Sequence, residues 1–280
     1  MLPKSGLSFT LIQSASRWKL LDLRGIWRHR DLLWILALRD IKVRYKQTIV
    51  GALWAVLQPL LMMVIFASLF QLLGRVPAAS DVPYAVTLFC ALLPWQLFSS
   101  AVSQVSDSLI ANQNLVTKVY FPRLILVFAS ALACLVDFCI AFGVLMILMF
   151  AYDIVPTPAF AALPFFVAFA LLTALSIGIW LAALNALYRD FRYVLPFLIQ
   201  IGFFLSPVVF ETTTLIPPEW RTLYSLNPMV GVIEGFRWAL LGRSDPPLLP
   251  LIISASVACC LLYGGLLYFR RMERTFADWI

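Results

Sequence analysis

Long apolar runs alternate with short polar ones along most of this chain. No Asp, Glu, Lys or Arg occurs in residues 47–74, 82–106, 154–188 or 246–269. About 20 apolar residues cross a bilayer as a helix, so the pattern predicts an all-α membrane protein. Six spans are the simplest division: 49–73, 83–104, 124–150, 159–187, 194–210 and 248–269. The fifth is the shortest. Its continuation, SPVVFETTTLIPPEW, holds Pro207, Pro217 and Pro218, which predict a helix break near the membrane surface. The expected organisation is an N-terminal cytoplasmic segment (1–48), a transmembrane domain (49–269) and a cytoplasmic tail (270–280).

Two polar segments also carry helical patterns. In DLLWILALRDIKVRYKQ, Trp34, Leu38, Ile41 and Tyr45 share one face, and Arg39, Lys42 and Lys46 share another. This predicts a basic amphipathic helix in the cytoplasmic interface, acting as an anchor or as a lever joined to the first span. In GVIEGFRWALLG, Val232, Phe236, Ala239 and Leu240 share a face. A short helix there can rest on the membrane or re-enter it. Gly231 and Gly235 form G-x-x-x-G, a signal for close helix packing, and Glu234 and Arg237 are spaced to pair.

Composition agrees with the pattern. Of 280 residues, 62% are hydrophobic and 12% charged, against about 25% charged in a soluble domain. Apart from Arg75, Arg221, Arg237 and Arg243, all 21 Lys and Arg residues fall on one side of the six-span arrangement. The positive-inside rule puts that side, with both termini and residues 112–123, in the cytoplasm. The +7 formal charge reads as orientation and attraction to anionic headgroups, not nucleic-acid binding. No cleavable signal peptide is expected, because the basic first forty residues lack a clean apolar core.

Little in the chain suggests chemistry of its own. The cysteines Cys90, Cys134, Cys139, Cys259 and Cys260 lie in apolar blocks and read as small hydrophobes. His29 sits among Arg28, Arg30 and Asp31; no metal site and no catalytic residues are expected. No G-x-x-x-x-G-K-[ST] occurs, so a phosphate cradle is not built here. Asp137 is the one clear carboxylate within a span; it suits a proton site or a partner held inside a helix contact. Trp54, Gln58, Trp95, Gln96, Ser99 and Gln200 are candidates to line a channel, because polar side chains in lipid favour helix contacts or a watery cavity. Sugar rings, whose C–H faces stack on aromatics, suit such a path.

Between the second and third spans lies NQNLVTKVYFPR. With IKVRYKQTIVGALWAVLQPLLMMVIF, LNALYRDFRYVLPFLIQIGFFLSPVVF, LNPMVGVIEGFRWALLG and YFRRMERTFADWI, it resembles the transmembrane subunit of ABC type-2 polysaccharide exporters of the O-antigen, capsule and teichoic-acid class. The resemblance covers about residues 30–280. It implies a homodimer with two copies of a separate nucleotide-binding ATPase, which holds ATP and Mg. It implies a glycan cargo on a polyprenyl diphosphate lipid, the bacterial inner membrane, and short re-entrant periplasmic helices before the last span. By position, the family's coupling helix falls on Asn112, Gln113, Asn114, Leu115, Val116, Thr117 and Lys118. Leu115 and Val116 would plug a groove on the ATPase, with the amides and Lys118 on its rim. Asp107 is a possible N-cap for that helix. The loop of Tyr188, Arg189, Asp190, Phe191 and Arg192 resembles a second contact. The alternatives are an exporter of another amphiphile (drug, haem or lipid) and a secondary carrier or channel using Asp137.

Overall fold

The computed structural model describes residues 23–46, 51–72, 82–119, 121–155, 157–188, 190–242 and 246–273. These residues form α-helices with one 3-10 turn and no strand. Two short helices lead in, α1 (Leu23–Arg28) and α2 (Arg30–Lys46). Then come α3 (Gly51–Leu72), α4 (Tyr84–Ala111), α5 (Gln113–Lys118), α6 (Leu124–Ala151) and α7 (Leu163–Leu187). The chain ends with α8 (Phe191–Leu205), α9 (Thr212–Leu215), α10 (Pro218–Tyr224), α11 (Pro228–Leu241) and α12 (Leu248–Glu273). Among the described residues, α3, α4, α6, α7 with its 3-10 start, and α12 are long and apolar enough to cross a membrane.

The remaining expected span, 194–210, is a shorter helix followed by irregular chain. The 15 residues of α8 give a rise of about 22 Å, short of the roughly 30 Å hydrocarbon core. The break has a local cause. Pro207 has no N–H to continue the helix and forces Ser206 extended, with ψ 152°.

Irregular backbone at this depth must find partners within the protein. Asn227 Nδ2 donates to the Leu205 carbonyl at 3.2 Å. Arg237 Nη2 donates to the Val208 carbonyl at 2.8 Å and Nη1 to that of Phe210 at 3.0 Å. The Tyr84 hydroxyl holds the intervening Val209 carbonyl at 2.6 Å. The Glu234–Arg237 pair expected from spacing does not form, since no ion pair joins them among the described residues. Arg237 turns to these carbonyls instead.

The α4 helix is central and packs on α3, α6, α7, α8 and α11. Helix α11 is buried rather than lipid-facing, wedged against α4, α7 and α12. Asn227 caps it, accepting from Met229 N at 3.0 Å, and Pro228 sits at its first position, a good helix start. Gly242 ends it with φ 61°, a left-handed cap that glycine favours. The G-x-x-x-G glycines do allow close packing. The backbone N–H of Gly231 donates to Ser254 Oγ on α12 at 3.1 Å, and Gly235 lies under the Phe166 ring of α7.

A Cβ on Gly235 would fall 1.9 Å from the Phe166 ring. Gly235→Ala is expected to cost about 1–3 kcal/mol from overpacking. Thermal unfolding of the detergent-solubilised chain measures this, and Phe166→Leu in the same chain should recover part of the loss.

Candidate functional site

The segment after α4 forms a compact feature at one end of the helical bundle. Helix α4 continues through Asp107 to Ala111, so Asp107 is not the N-cap expected for a helix in this loop. Instead its carboxylate accepts from Asn185 Nδ2 of α7 at 3.0 Å and lies 3.7 Å from Arg192 Nε. Asn112 joins α4 to the six-residue α5. Its Nδ2 donates to the Ser108 carbonyl at 2.9 Å, and its Oδ1 accepts from Arg39 Nη2 at 2.6 Å.

The two faces of α5 differ. Val116 is 5% exposed and packs in a core with Leu36, Ala37, Leu109, Phe121 and Ile125, with Leu115 half-buried against it. Val116 therefore holds α5 onto its own chain, whereas the sequence pattern suggested a plug for a partner. Gln113, Asn114, Thr117 and Lys118 face outward, with Thr117 Oγ1 donating back to the Gln113 carbonyl at 2.9 Å. Tyr120 lies outside the described residues. Arg123 donates to the carbonyl of Glu273 at the end of α12.

The second expected contact lies at the same end of the bundle. Tyr188, Asp190 and Arg192 are exposed and Phe191 is half-buried; Arg189 lies outside the described residues. The reach of Arg192 to Asp107 links the start of α8 to the end of α4. Arg192 is 61% exposed, so the pair contributes at most about 1 kcal/mol. Its interest is positional.

Helix α2 connects this surface to the interior. The face it buries carries Leu33, Leu36 and Ala37, with Asp40 and Arg44 along the same side. Trp34 and Leu38, from the face the wheel marked apolar, are exposed and free to meet lipid. Arg44 Nη1 pairs with one oxygen of Asp137 on α6, and the Tyr45 hydroxyl donates to the other. Counting 1.5 Å per residue, Asp137 stands about 20 Å along α6 from its first residue, Leu124. The end of α2 thus reaches well along a span rather than lying flat beside it.

These residues close one wall of a cavity of about 320 Å³. The other walls are Trp54 and Gln58 of α3, Gln96 and Ser100 of α4, and Cys134 and Phe138 of α6. No described partner takes a hydrogen bond from the side chains of Trp54, Gln58, Gln96 or Ser100. The six channel candidates do not share one surface. Trp54, Gln58 and Gln96 line this cavity. Ser99 donates to the Gln96 carbonyl at 3.1 Å. Gln200 is exposed on α8. Trp95 lines a second cavity of about 630 Å³, with Phe98, Thr173, Gly202, Trp220 and Tyr224; it separates the middle of α8 from α4 and α7.

Sequence reasoning singled out Asp137 but not its partners. A carboxylate in an apolar helix needs a cation or a proton, yet a single sequence does not say which of 21 basic residues would supply it. The clue was the position of Arg44 and Tyr45 at the end of α2, just before the first span.

The sequence profile of the ABC-2 type transporters matches residues 31–241. The chain is 29% identical to the O-antigen export system permease protein RfbA of Myxococcus xanthus over 91% of its own length and 98% of the relative's. It is 26% identical to the protein of that name from Klebsiella pneumoniae, over 89% and 94%. It is 24% identical to the polysialic acid transport protein KpsM of Escherichia coli, over 85% and 92%. With its helical architecture and three quarters of its length matched by that profile, this chain belongs to the ABC-2 type transporter family.

Proposed function

We propose that this chain is the channel-forming subunit of an ATP-driven exporter that moves a lipid-linked glycan across the bacterial inner membrane. The lipid is a polyprenyl diphosphate. Two copies pair, and two copies of a separate ATPase hold ATP and Mg beneath them. Relatives named for O-antigen export and polysialic acid transport, aligned nearly end to end, support the cargo. The observation that carries it is the cavity at Trp54. An indole and unengaged amide and hydroxyl groups are costly within a membrane domain, and they match the stacking faces and hydroxyls of a sugar. The broad exposed apolar faces of α3 and α8 suit lipid and a second copy.

The cytoplasmic end supports an external motor. The chain carries no Walker A motif. Gln113, Asn114, Thr117 and Lys118 project from α5, and the 188–192 loop sits at the same end of the bundle. The middle of α2 and the end of α12 also meet this region, through Arg39 and Glu273, which favours cytoplasmic termini. A proton-driven carrier is disfavoured, because Asp137 is already engaged by Arg44 and Tyr45.

Three outcomes test this reading. Lys118→Glu, at an exposed position, is expected to reduce surface glycan about tenfold or more by opposing charge at the docking face. Folding and membrane insertion should be unchanged; normal export and normal ATPase co-purification would remove α5 from the contact. Leu115→Asp is a poorer probe, because Leu115 is half-buried and its loss also disturbs the fold. Trp54→Ala with Gln58→Ala should lower export about tenfold, the scale of one or two lost ligand contacts, while the complex still hydrolyses ATP. Asp137→Asn vesicles, assayed with and without a proton gradient, should export equally in both; dependence on the gradient would favour the carrier.

A further inference from the structure

Two contacts tie α2 to other helices, one near its middle and one at its C-terminal end. Near its middle, Arg39 is oriented by Asp40, whose Oδ1 accepts from Nε at 3.1 Å and Nη2 at 2.8 Å. The same Nη2 reaches Asn112, the residue joining α4 to α5, at 2.6 Å. At the C-terminal end, Arg44 and Tyr45 hold Asp137 and form a wall of the smaller cavity. Five residues, about 7 Å of helix, separate Arg39 from Arg44. Leu36 and Ala37 share one buried core with Val116, Leu109 and Ile125, and close-packed side chains move together.

The opposite wall is held differently. Helix α3, which carries Trp54 and Gln58, is the least buried of the long apolar helices. Its contacts with α2 are few beside those between α2 and α6.

We propose that Arg39 and Asn112, acting through α2 on Arg44, Tyr45 and Asp137, relay movement of the α5 surface to the wall of the cavity, so that this wall shifts against Trp54 and Gln58. The relay rests on the export reading above and deepens it. Arg39 is a positioning residue: it touches no cargo and acts through Asn112 and the rigid α2. The bond to Asn112 fixes the register between α2 and the segment that the ATPase moves, and the pair at Asp137 fixes the register between α2 and the cavity.

The experiment uses the whole complex of this chain with its ATPase in proteoliposomes. The exposed Cys139, Cys259 and Cys260 and Cys134, which lines the same cavity, are replaced by Ser, and Ser100→Cys is introduced as a probe in the cavity. A water-soluble maleimide should label the probe at different rates in the nucleotide-free and vanadate-trapped states. In Arg39→Leu that difference should vanish, while ATPase co-purification and basal hydrolysis stay unchanged. Glycan exported per ATP should fall about three- to tenfold, the range for residues that carry coupling. Arg39→Lys keeps a donor and should recover part of both signals. Arg39→Leu and Asn112→Leu together should be no worse than either alone, as for two ends of one bond.

A nucleotide-dependent labelling difference that survives in Arg39→Leu overturns the relay. Loss of ATPase co-purification in Arg39→Leu also overturns it, by making Arg39 a direct docking contact. A parent complex that exports without nucleotide-dependent labelling overturns the relay and leaves the export reading standing. A parent complex with ATPase bound that exports no glycan overturns that reading, and the relay with it.

Discussion

Water is absent from the bilayer core, so every polar group placed there must be satisfied by the chain itself. This constraint explains why the fold is helical. It also explains the two places where the fold departs from plain helices. Where Pro207 stops α8, the carbonyls of Leu205, Val208, Val209 and Phe210 are taken by Asn227, Arg237 and Tyr84. Where Asp137 sits in a span, Arg44 and Tyr45 are brought in from a different helix to meet it. Both solutions recruit side chains distant in sequence, and both therefore fix how elements pack.

The same constraint governs what the sequence made legible. Apolar length is a local property, so five spans and their order could be read directly, as could the short α11, whose Asn-Pro start and glycine end are local signals. The fifth expected span was mislocated at its outer end. Pro207 announced the break, but only the folded chain could show that Arg237 is committed to the carbonyls beyond it. The same commitment dissolved the pair with Glu234, which spacing alone favoured. Asp107 shows the converse. It was expected to cap the start of a helix, yet α4 runs on past it to Ala111, and its carboxylate meets Asn185 and Arg192.

The segment between α4 and α6 was legible as an element but not in its facing. Leu115 and Val116 are the apolar residues of α5, and a lone sequence cannot tell an outward plug from an inward anchor. The structure turns Val116 inward because α2 offers Leu36 and Ala37 there. That choice makes the outer face polar, with Gln113, Asn114, Thr117 and Lys118. An ATPase gripping it would rely on hydrogen bonds and charge, and Val116 would serve to transmit the grip inward.

The two cavities sort by the same physics. The larger one beside α8 is walled mostly by aliphatic and aromatic side chains, so it costs little when filled by hydrocarbon. The smaller one is also mainly apolar, but Gln58, Gln96, Ser100 and the Trp54 indole on its walls would go without hydrogen bonds under hydrocarbon. Only water or a hydroxyl-rich ligand answers those groups. Its charged wall is neutral as a pair, so a sugar can approach without an unbalanced charge. That wall is also the end of α2, whose Leu36 and Ala37 lie in the same buried core as Val116 of α5. The cavity proposed to meet a glycan is therefore built partly from a helix that also contacts the segment proposed to meet a motor. A single stiff helix shared by both is the shortest physical route by which work done at one could be felt at the other.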